Sequence, residues 1–208
     1  YPLRRQRQMC IRDRVYRTSV LVMTAFFVLV ALVSTLVIRS NIRHITEVWS
    51  PSLEYLQELE TMTAKYRIKQ YQHLVESDAA AMATCEKEND NIESQIKDAT
   101  AKLGEIINSN KKAQQGKADY EKATSAWEEY LSTSDEVYKL SRDNKQAEAA
   151  KIMIGSAYES YMSFVKQLNT LHDDFQVELD NAKTLANICT IITVSYTHLR
   201  AHETEADL

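Results

Sequence analysis

Residues 156–183 read SAYESYMSFVKQLNTLHDDFQVELDNAK. Within them Ala157, Tyr161, Phe164, Leu168, Leu171, Phe175 and Ala182 follow alternating steps of three and four, with one polar position on the register at Glu178. That spacing puts apolar side chains on one face of an α-helix and leaves the remaining surface polar, as in a helix seated in a bundle. The rule repeats upstream. Ile92, Ile96, Ala99, Leu103 and Ile106 form one seam, and Tyr120, Ala123, Trp127 and Tyr130 another. Trp49, Leu53, Leu56, Glu60, Thr63, Arg67, Gln70 and Leu74 form a further one with polar interruptions. Four seams predict an all-α, up-down-up-down four-helix bundle.

Composition agrees. In 208 residues there are only three Gly and two Pro, with 44% apolar and 26% charged side chains, the balance of long amphipathic helices. A net charge of -4 supplies no basic footprint for nucleic acid. The three Cys lack the CxxC spacing of a zinc site or a disulfide framework, and Cys85 and Cys189 lie too far apart along the bundle to bridge. The sequence offers no paired carboxylates, Ser/His/Asp set or phosphate loop, so no enzyme and no cofactor are expected. His44, His73 and His172 sit singly, far apart in sequence, and are read as surface or seam residues rather than metal ligands.

Helix punctuation sets the boundaries. The first helix of the bundle is expected over Ser40–Glu76, the second over Ala79–Ile107, the third over Lys117–Leu140 and the fourth over Lys145–Lys183. Ser77-Asp78, Asn108–Gly116 and Ser141–Asn144 provide the caps and loops between them. The two outer helices each span about 55–60 Å at helical rise, and the inner two are shorter. Pro51 should restart or kink the first helix, with Ser50 available as its cap. The fourth, with no Pro and only Gly155 near its start, is expected to be the better transmitting rod.

Between Arg17 and Arg39 no residue is charged, and Thr18–Ile38 is rich in Val, Leu, Phe and Ala. At helical rise this run spans about the 30 Å hydrocarbon core, and residues 15–39 are read as a transmembrane helix. A second apolar run, 185–193, reads as the start of another, which leaves 40–184 as the sensor-sized bundle between them. Flanking charges do not fix the orientation of so long a translocated segment. Trp49 is placed at the membrane face as an interfacial anchor, and Lys111 and Lys112 in a loop near the headgroups or simply in solvent.

The two ends read differently from the middle. Met9-Cys10-Ile11-Arg12-Asp13 can be encoded by ATG TGT ATA AGA GAC, whose reverse complement, GTC TCT TAT ACA CAT, encodes Val194-Ser195-Tyr196-Thr197-His198. Both ends resemble translations of one DNA-tagging element with its sequencing adapters, so residues 1–14 and 194–208 are expected to be artefact rather than native protein. Setting them aside leaves 19 basic against 25 acidic residues, a net charge near -6, and removes the basic N-terminus as an argument for lipid binding.

Arg67 is the leading ligand candidate: a charge on the first helix's apolar seam could clamp a carboxylate across a dimer interface, with Lys65 and Lys69 flanking it on other faces. The structural alternative pairs Arg67 with a carboxylate inside the bundle or dimer. Tyr158 and Gln167 on the last helix are further candidates, whereas Tyr161 is read as core.

A transmembrane helix, a four-helix bundle and a second membrane helix, with Trp127-Glu-Glu-Tyr130 on the third bundle helix and Asp143-Asn-Lys-Gln-Ala147 opening the fourth, resemble the sensor region of methyl-accepting chemotaxis proteins over residues 15–193. The resemblance implies a homodimeric receptor of the bacterial inner membrane with its bundle outside the cytoplasm. It further implies a small-molecule ligand or a periplasmic binding protein as partner, and small shifts of the last helix as the signal. A histidine kinase and its coupling protein would be reached through a cytoplasmic part. In the amino-acid-sensing members, arginines on the first helix hold the ligand carboxylate, but their wider multi-arginine spacing is not matched here. The same layout also serves as the input domain of sensor histidine kinases and cyclic-dinucleotide enzymes, and a membrane-tethered structural bundle would share it.

Overall fold

The computed structural model describes the backbone of residues 2–206 and the side chains of residues 14–195. Nearly all of the two terminal segments read as adapter sequence lies outside the described side chains. All regular structure among the described residues is helical: α1 Pro2–His44, α2 Ser50–Val75, α3 Ala79–Ser109, α4 Lys117–Arg142, α5 Gln146–Ile154 and α6 Ser156–Ala206. They form two compact units, residues 45–180 and residues 1–44 with 181–208.

The first of these units is the four-helix bundle. Its centre is filled by Leu56 and Leu59 of α2, Ile96, Leu103 and Ile107 of α3, Trp127, Tyr130 and Val137 of α4, and Phe164, Leu168, Leu171 and Phe175 of α6, all nearly or fully inaccessible. Each such side chain contributes on the order of 1.5–3 kcal/mol by leaving water. Aromatic rings knit the middle together: Trp127 stacks on Tyr130 at 5.1 Å and meets Phe164 at 5.3 Å, while Tyr66 approaches Trp127 edge-on at 5.5 Å.

Helix ends follow local chemistry. Asp78 caps α3 by accepting the Ala81 amide at 2.9 Å. α4 ends where Asn144 turns left-handed at φ 58°, and the Lys145 amide then reaches the Leu140 carbonyl at 2.9 Å. At the α3–α4 hairpin a short 3-10 turn, Ala113–Gly116, tucks against α6. A Cβ on Gly116 would lie 2.7 Å from Leu171 and 2.9 Å from Phe175, two fully buried side chains with nowhere to go.

One expectation holds in part and two change. The helix restarts at Pro51 as expected, in the first turn of α2 and after a π-helical turn, Ile45–Trp49, but with no side-chain cap from Ser50. Proline has no N–H to give the preceding turn, and one wider turn absorbs the lost bond. Trp49 is not an exposed anchor: it is 1% exposed and packs on Phe175 at 5.5 Å. The last bundle helix is not one rod, because it breaks at Gly155, whose amide caps α5 through the Lys151 carbonyl at 2.9 Å.

In the other unit, α1 carries the uncharged run. Among the described residues one helix is long and apolar enough to cross a membrane, with a mean hydropathy of 2.8 over its best 18-residue window, of which 6% is buried. The segment 185–193 lies beside α1, where Ile192 and Thr193 line a cleft of about 100 Å³ with Phe26, Phe27 and Val30.

Candidate functional site

Arg67 sits on the buried face of α2 and is 8% exposed. Burying a guanidinium is costly unless its donors are met and its charge is balanced. One terminal nitrogen, Nη2, donates to the Tyr71 hydroxyl and to the Met153 carbonyl, each at 2.9 Å. That carbonyl is available because α5 stops at Ile154, and the last carbonyls of a helix have no intrahelical donor. A cation there also meets the negative end of the helix dipole.

The charge is balanced by ring faces rather than by an anion. The guanidinium carbon lies 4.9 Å from the centroid of Tyr161, 5.3 Å from Tyr71, 5.4 Å from Tyr158 and 5.9 Å from Tyr130. Four rings at this range form an aromatic cage around the cation. Arg67 makes no ion pair among the described residues, and its other terminal nitrogen, Nη1, is buried with no hydrogen-bond partner. The cage is therefore short of one acceptor. Tyr71 and Tyr158 reach the surface, at 38% and 47% exposure, so this incomplete site has a solvent-facing side.

Burial pushes the Tyr130 and Tyr161 hydroxyls above their ordinary range, with the Arg67 charge pulling each back. These two hydroxyls consequently stay neutral and keep their protons as donors.

Of the residues read from the sequence, Arg67 and Tyr158 come together here. Lys65 is exposed on another face, and Lys69 pairs with Glu88 at 2.6 Å, a hydrogen bond that raises its pKa at a surface where such pairs add little stability. Gln167 is nine residues beyond Tyr158 on α6, about 13 Å at helical rise, and stays outside the cage. Tyr71 and Tyr130 were not foreseen, although Tyr71 is one turn after Arg67 and so faces the same way.

Behind the cage runs a buried polar ladder. Gln70 bonds Ser134 and Tyr130, Tyr66 bonds Ser134 at 3.2 Å, and Asn89 joins the Tyr138 hydroxyl and the Tyr66 carbonyl. His73, wholly inaccessible, reaches Ser141 through Nδ1 and Glu86 through Nε2, each at 2.9 Å, and Glu86 is held in turn by Arg142 at 2.8 Å. The only hint of this ladder in the sequence was polar residues recurring at core spacing on three helices, which can satisfy one another when brought together. Among the described residues no group of His, Cys, Asp or Glu side chains is placed to hold a metal ion.

A family model described as a four helix bundle sensory module for signal transduction matches residues 16–186. No curated protein matches the chain.

Proposed function

The chain belongs to the family of four-helix-bundle sensory modules for signal transduction, and from that membership we propose that it is the ligand-sensing region of a methyl-accepting chemotaxis receptor. In this reading α1 anchors the chain in the bacterial inner membrane, the bundle faces outward, and the region beginning at residue 185 enters the membrane again. A histidine kinase and its coupling protein would be controlled through a cytoplasmic part outside residues 1–208. The ligand is a small molecule bearing a carboxylate, free or presented by a periplasmic binding protein.

One observation carries the ligand reading: the buried Nη1 of Arg67 lacks an acceptor inside a cage of four tyrosines. A guanidinium binds a carboxylate through two parallel hydrogen bonds, and here one donor is unsatisfied while the other is lent to Met153. A ligand carboxylate that takes both donors releases the Met153 carbonyl and loosens the joint at Gly155. α6 then shifts relative to α2, and small helix shifts of this kind are an established switching move. Exposed Ile68 and Val75 on α2, with Ile154 and Met162 across the α5–α6 joint, favour a second copy packing over the same face.

The test is a panel of amino acids and dicarboxylates, including aspartate, serine and succinate, titrated into the full chain in lipid nanodiscs. The expected result is a rise in melting temperature with at least one of them, lost in Arg67→Ala and weakened at least tenfold in Arg67→Lys, which keeps the charge but not the fork. No shift with any member at millimolar concentration would remove the carboxylate from the proposal.

A further inference from the structure

We propose that the groove between α3 and α4 is a second binding site, for a small flat apolar molecule carrying one cationic nitrogen. It encloses about 350 Å³, the size of one or two fused rings with a short arm and at the lower end of small-molecule pockets. Arg67 is not among its lining residues, and this inference does not depend on the Arg67 reading.

The groove exists because α3 packs closely along α2 but only sparsely along α4. Near the hairpin turn the two helices meet where the Tyr120 hydroxyl donates to the Thr100 carbonyl at 3.0 Å and passes over Gly104. The Tyr120 oxygen lies 2.5 Å from where a Gly104 Cβ would stand, so only glycine permits this closure. Beyond it the helices part, and Leu59, Ile96, Phe164 and Leu168 form an apolar floor beside Trp127. A floor of this kind favours ring stacking and excludes a hydrated anion.

Charge at the mouth selects the sign of the guest. Glu93 and Glu128 line the opening against one cation, Lys97, and none of the three makes an ion pair among the described residues. Burial raises the Glu93 carboxyl, and the neighbouring charges of Asp90 and Asp135 raise it further while Lys97 opposes them. A cationic nitrogen placed at Glu93 relieves that repulsion, whereas a carboxylate adds to it.

The probes are 2-naphthylmethylamine, the neutral 2-naphthylmethanol and the anion 2-naphthoate, titrated calorimetrically into the full chain in nanodiscs. The amine is expected to bind at least tenfold more tightly than the alcohol, with no binding of the naphthoate. Glu93→Gln should weaken the amine 5- to 20-fold and leave the alcohol unchanged, and Thr124→Phe, which fills the groove from its half-exposed rim, should abolish both. Ala101→Phe blocks the opposite wall and serves if Thr124→Phe melts early. Equal binding of the three probes, no binding at all, or heats unchanged by either blocking variant, as partition into lipid would give, would each overturn the proposal. So would loss of dimer in the blocking variants without amine binding, since a second copy would then be the occupant.

Discussion

Arg67 on α2 and the Met153 carbonyl at the end of α5 are joined by a 2.9 Å hydrogen bond across 86 residues of sequence. The bond does two things at once: it caps a helix end and pins the start of α6 to the helix that follows the membrane-competent segment. A hydrogen bond from a charged donor contributes about 1.5–3 kcal/mol, enough to hold a joint and small enough for a ligand to displace.

The joint itself depends on Gly155. A Cβ there would lie 2.9 Å from the Lys151 carbonyl, which is backbone and cannot rotate away. Gly155→Ala is therefore expected to cost about 1–2 kcal/mol and to lower the melting temperature followed by circular dichroism. In a hybrid receptor bearing a known output domain it should also shift basal signalling. An unchanged melting temperature would show that α5 and α6 can realign at no cost.

Alkaline pH attacks the core through its tyrosines. Burial pushes the Tyr66 hydroxyl up to about 12, with the Ser134 hydrogen bond opposing, and raises Tyr130 and Tyr138 as well. In the unfolded chain all three ionise near 10. A raised folded value means stability present in full below pH 10 and lost as pH climbs toward 12. Tyrosinate absorbance and helicity should therefore change together in that window. Early titration of these three hydroxyls with helicity intact would contradict their burial.

Glu93 should act at the acid side. Its carboxyl is raised by burial, then by Asp90 and Asp135, with Lys97 opposing; Glu128 also faces the groove. The associated stability is present below the unfolded carboxyl value and falls as pH rises through the folded one. Glu93→Gln should accordingly melt higher than the parent at pH 7, and the difference should shrink toward pH 4. A constant difference across that range would show that the carboxyl does not titrate abnormally.

The fold was legible where apolar side chains dominate the seam. Phe164, Leu168, Leu171 and Phe175 occupy the core as their spacing predicts. Elsewhere the register slips by one: Leu59 is buried and Glu60 exposed, Ile107 is fully buried and Ile106 only partly, and Leu179 takes the place assigned to Glu178. A strict three-four count repeats every 3.5 residues, whereas a straight helix turns every 3.6, so the count drifts by about 20° per heptad. Arg67 was legible as a charge where an apolar side chain belonged. Its cage was not, because the rings of Tyr130, Tyr158 and Tyr161 arrive from helices distant in sequence. Gly155 in an otherwise helical stretch reads as a small penalty of about 1 kcal/mol, not as a break.

The missing side chain of Gly116 has an effect at the far end of the hairpin from the cage. Its Cα rests against Leu171 and Phe175, so the hairpin tip is meshed with α6 like a pawl on a ratchet. Axial travel of α6 by even one ångström must either carry the tip along or disengage it. A fluorophore on the nearby Lys112, which is exposed, would therefore serve as a gauge of that travel without touching the cage.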